Sequence, residues 1–84
     1  MNNIIMRKID VTGNYTPLAA EKTVVTVTIS APPTNTGNVL FKGDDGSDVF
    51  FVPGEWHTLK SINLADIQIK GTVGDVVTIV GGTW

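Results

Sequence analysis

In the stretch KTVVTVTIS, residues 22–30, apolar and hydroxylated side chains alternate so strictly that only an extended chain can separate them. Val25, Val27 and Ile29 fall on one face, and Thr26, Thr28 and Ser30 on the other. Branching at Cβ costs these residues rotamer freedom in a helix and suits them to a pleated surface. ADIQIKG, residues 65–71, repeats the pattern, with Ile67 and Ile69 inward and Asp66, Gln68 and Lys70 outward. DVVTIV, residues 75–80, sets Val76, Thr78 and Val80 opposite Val77 and Ile79, as a strand covered on both faces would. No ten-residue stretch carries the 3.6-residue period of an amphipathic helix.

Turn-forming residues punctuate these runs. Pro32 and Pro33 cannot donate to a ladder and end one strand. GDDGSD, PGE and GTVG separate the later strands at short intervals. Strands are expected near 4–11, 23–30, 38–42, 48–52, 56–60, 66–70 and 75–80, with residues 15–20 as an eighth. The fold class is therefore all-β: one small antiparallel β-sandwich domain over residues 1–84, jelly-roll-like, with seven or eight short strands. Residues 1–12 read as an N-terminal arm or first strand, and 81–84 as a C-terminal tail.

At 84 residues, apolar burial and the entropy of ordering the chain nearly cancel, so a further source of stability is expected. With no cysteine, disulfides and thiolate metal sites are excluded, and a single histidine makes a structural zinc site a poor fit. Assembly with copies of itself or with another protein is the remaining route. The net charge of −2, with six scattered basic residues, argues against nucleic acid as a partner. No apolar run is long enough to span a bilayer, and MNNIIMRKID lacks the layout of a secretory signal. A soluble protein made in a cytoplasm is expected.

The acidic stretch GDDGSD invites comparison with a calcium loop. That loop needs ligands at alternating positions and a glutamate six residues after its glycine; here Asp44 and Asp45 are adjacent, and the sixth residue after Gly46 is Val52. A hairpin tip explains the Asp-Gly step, leaving Asp44, Asp45 and Asp48 as its wet edge. In PGEWHTL, Glu55 and His57 share a strand face and could hydrogen-bond, but no nucleophile is tied to them by spacing. Pro53-Gly54 fits the centre of a type II turn. GTVGD and GNVLFKG lead into no helix, so they read as hairpin turns and not as phosphate cradles. Tyr15, Trp56 and Trp84 could form a sugar-stacking platform; core filling is the commoner use of Trp56, Phe41, Phe50 and Phe51. Trp84 follows Gly-Gly at the chain end, where a partner subunit is its most economical home. No catalytic residue, metal ligand or cofactor is assigned.

In order along the chain, TNTGNVLFKG, PGEWHTL and LADIQIKGTVGDVVTIV resemble a pattern in small β-sandwich virion proteins of tailed bacteriophages, over residues 34–80. Those proteins include capsid decoration, or cement, proteins and other head or tail accessory proteins, which often assemble as trimers. The residues carried over are structural: Asn35, Gly37 and Asn38, then Pro53, Gly54 and Glu55, then Gly71, Gly74 and Asp75. The family often has a longer, more polar loop in place of KGDDGSDVFF. The resemblance implies a structural protein, not an enzyme, that is made in the bacterial host cytoplasm and ends on the capsid surface. There it would bind the major capsid protein or another virion protein and stabilise contacts between capsid subunits. Ile4, Ile5, Met6 and Trp84 are the expected partner contacts. A receptor- or glycan-binding module of a fibre or tail is the alternative.

Overall fold

The computed structural model describes residues 3–83. Eight strands form in the order β1 (Ile4–Asp10), β2 (Thr16–Pro17), β3 (Val24–Ser30), β4 (Val39–Lys42), β5 (Val49–Phe51), β6 (Trp56–Asn63), β7 (Gln68–Lys70) and β8 (Val76–Gly82), with a 3₁₀ turn at Leu64–Asp66. They make two four-stranded antiparallel sheets, ordered β1-β8-β3-β6 and β2-β7-β4-β5. The pairs β4–β5, β3–β6, β2–β7 and β1–β8 are nested about one central turn. The chain is thus a long hairpin, folded back at residues 43–48 and rolled into the jelly roll its alternation predicts.

That nesting corrects one expectation. The β4–β5 turn is the sole connection that stays within a sheet. GTVGD crosses from β7 to β8, in the opposite sheet, so it is an inter-sheet corner and not a hairpin turn. The same holds for Pro53-Gly54 between β5 and β6.

Period two decides what is buried. Val25, Val27 and Ile29 of β3 and Val77 and Ile79 of β8 point between the sheets, where Phe41, Phe51 and Ile69 meet them. β8 is covered on that face alone: Val80 is 50% exposed on the other side, because among the described residues no layer lies over this sheet's outer surface. Phe50 and Trp56, expected in the core, are exposed as well. Phe50 pairs with Leu40 and Trp56 with Ser30, both on outward-facing rows of their sheets. β8 and β3 approach so closely at Gly81 that a Cβ there would meet the Thr26 carbonyl and lie 2.6 Å from Val27 Cα. Only glycine fits that position.

The first strand is an integral edge of its sheet, joined to β8 through seven register pairs. Ile5 and Ile9 pack partly against the core, while Ile4 and Met6 project outward.

Candidate functional site

The motif residues converge at one end of the sandwich. Asp75, buried where the chain enters β8, accepts from Thr36 N–H at 2.9 Å, Thr36 Oγ1 at 3.1 Å and Gly37 N–H at 3.0 Å. These donors, led by the Thr36 amide, hold its carboxyl below the usual carboxylate range. Asn35 is buried beside it and bonds the main chain of Val76 in both directions. A Cβ on Gly37 would sit 3.0 Å from Thr72 Oγ1, and one on Gly71 only 2.9 Å from Val11 Cγ1 and 3.2 Å from the exposed Asn38's carbonyl. Gly74, at φ 100°, occupies the position of a type II turn that closes from Asp75 N–H to Thr72 O. Val52 to Glu55 makes the second such turn, with Gly54 at φ 93° and Glu55 N–H bonded to Val52 O. Gly54 N–H and Ala31 N–H then tie this turn to the end of β3. The structure thus bonds Asn35 to Val76 across 41 residues of sequence and Gly37 to Asp75 across 38. Their work is to lock two corners, and among the described residues no buried side-chain donor or acceptor is left without a partner.

On the outer face of the β2-β7-β4-β5 sheet, Tyr15 lies beneath two cations. Lys42 Nζ is 4.1 Å and Lys70 Nζ 5.0 Å from the ring centroid. The Tyr15 hydroxyl donates to Asp48 Oδ1. Desolvation, and then the Asp48 carboxylate, push the phenol up to about 12. Asp45 Oδ1 accepts from Ser47 N–H at 2.9 Å, closing the turn around Gly46 at φ 77°. The three aspartates of the tip therefore do not converge, and among the described residues no group of three His, Cys, Asp or Glu side chains could hold a metal ion. Sequence spacing gave no sign of the tyrosine–lysine cluster, because its members come from three different strands or their approaches.

Glu55 and His57 do meet: His57 Nε2 lies 2.7 Å from Glu55 Oε2 on an exposed edge. The hydrogen bond to His57 holds the Glu55 carboxyl low, helped by Val52 N–H, which donates to Glu55 Oε1 at 3.1 Å. The imidazole also stands edge-on to Phe51, with centroids 4.9 Å apart. Both side chains are thus engaged in fixing the β5–β6 corner.

The remaining feature is apolar. Ile4, Met6 and Val80 are 79%, 71% and 50% exposed, and the β1–β8 register puts Met6 beside Val80 and Ile4 beside Gly82 on one outer face. Thr28, Thr58, Ser30 and Thr78 continue this face as a hydroxyl-rich ladder, with Thr28 and Thr58 joined at 2.9 Å and Ser30 and Thr78 at 2.5 Å. Trp56, at 62% exposure, closes its far edge. Tyr15 and Trp56 stand on different sheets, so the two form no common platform. Trp84 lies outside the described residues. Compared with known proteins, the chain matches no family model, no curated protein and no solved structure.

Proposed function

We propose that the protein is a bacteriophage structural protein: a capsid decoration protein that binds the assembled head and stabilises contacts between major capsid subunits. The observation that carries this reading is the strip of Ile4, Met6 and Val80, large apolar side chains held in register on a sheet face that none of the described residues covers. Burying that strip against a partner would add to the stability of a chain of only 84 residues. The resemblance of residues 34–80 to small phage virion proteins supports it, since the turn residues it carries over lie at the Asp75 end of β8, away from the Met6–Val80 pair. Assembly as a trimer would add avidity to individually weak contacts. The mechanism is interfacial and involves no catalytic residue and no cofactor.

Substitution, not truncation, tests this reading, because removing residues 4–6 would also strip three register pairs from β8. Met6→Asp is expected to fold normally and to lose co-sedimentation with empty capsids of the phage that encodes the protein. Undiminished binding by a folded Met6→Asp protein would contradict the proposal.

The exposed indole of Trp56 favours a second reading, a glycan-binding module of the virion. Saturable quenching or enhancement of tryptophan fluorescence by sugars, lost in Trp56→Ala, would support it over the first.

A further inference from the structure

The side of the sandwich between β5 and β6 is open. A cavity of about 160 Å³ enters the core there, walled by Ile29, Phe41, Val49, Phe51, Leu59 and Ile67. Near Gly43 and Ile67 it meets a wider recess of about 670 Å³, whose lining includes Asp44, Asp66, Ser61 and Asn63. The bulge in β6 shapes this opening. Leu59 pairs with Val27 and Ile62 with Val25, so both point inward, and the extra residue is absorbed at Ser61, the one non-glycine residue at positive φ (51°) among those described.

We infer that this groove binds an extended polypeptide segment from a partner protein, with one aromatic or leucine-sized side chain in the cavity and a lysine or arginine beside Asp44 and Asp66. Size and charge select that occupant. A dry cavity of about 150 Å³ lined by Leu, Ile and Phe holds one benzene ring, so the smaller chamber matches a single large apolar side chain. The recess carries two carboxylates, and Lys42, the cation that lines the cavity, has its ammonium drawn to the Tyr15 ring on the outer face. Among the described residues β6 has β3 on one side and no strand on the other, so a segment lying along it finds unpaired backbone groups and places alternate side chains over the cavity. This site lies on a different part of the molecule from the Ile4–Met6–Val80 strip and does not depend on the capsid reading.

The test is a titration of the ¹⁵N-labelled protein with the acetylated, amidated peptide Lys-Thr-Phe-Thr-Lys, followed by amide chemical shifts. Saturable shifts are expected at Gly43, Val49, Leu59 and Ile67. The peptide with alanine for phenylalanine should bind about tenfold more weakly or worse, from the lost burial of one ring. Glutamate in place of both lysines should cost about fivefold, the scale of two partly exposed ion pairs. In the protein, the rim variant Val49→Asp should abolish binding, and the double variant Asp44→Asn/Asp66→Asn should erase the preference for lysine. Absence of saturable shifts, or shifts that survive Val49→Asp, would overturn the inference. So would shifts at these residues that track protein concentration without peptide, which would assign the groove to a second copy of the chain.

Discussion

Asn35 and Val76 are paired as two strand residues would be, although one of them uses its side chain. Asn35 Oδ1 accepts from Val76 N–H at 3.0 Å, and Asn35 Nδ2 donates to the Val76 carbonyl at 2.9 Å. A carboxamide alone offers a donor and an acceptor in that geometry. Asn35→Ala leaves the part-buried Val76 amide and carbonyl without these partners, and should destabilise the protein by about 1–3 kcal/mol. Urea denaturation with an unchanged m-value is the check. A loss under about 0.5 kcal/mol would show that water replaces the side chain at no cost.

Asp75 makes the same corner sensitive to acid. Its folded pKa is depressed by the Thr36 and Gly37 donors, below an unfolded value of about 3.9. The unfolded chain then binds the proton more readily, so this stabilisation is present above the unfolded pKa and is lost as pH falls through the folded one. Glu55 and Asp45, also depressed, act in the same direction. Thermal midpoints measured from pH 6 to 2 should fall less steeply for Asp75→Asn than for the wild type. Parallel curves would remove Asp75 from this role.

Tyr15 is the only tyrosine, so its ionisation can be followed by absorbance without assignment. Half-titration is expected near pH 12. Asp48→Asn removes the hydrogen-bonded carboxylate and should move the midpoint down towards the ordinary phenol value near 10. A wild-type midpoint at 10 would mean that the Tyr15–Asp48 contact does not persist in solution.

What the sequence made legible was local. Alternation at Val25, Val27 and Ile29 named both the strand and its buried face, and Pro53-Gly54 announced a type II turn. Sheet membership was not legible, because a glycine turn has the same chemistry whether its strands pair with each other or part. Only the strand order, which places β7 and β8 in different sheets, reveals GTVGD as a corner. Burial of aromatics was misread for a related reason. Composition says that Phe50 and Trp56 are apolar, but the parity of their register with Leu40 and Ser30 turns them outward. The apolar strip was half visible: Ile4 and Met6 were candidates from sequence, whereas Val80 joins them only through the β1–β8 register.

The proposed cementing role is tested most directly by the heat stability of the capsid itself. If the proposal holds, empty capsids of the source phage, saturated with the purified protein, should disrupt at a higher temperature in scanning calorimetry than bare capsids, and the folded Met6→Asp protein should confer no shift. An unchanged capsid midpoint at saturating wild-type protein would contradict the account.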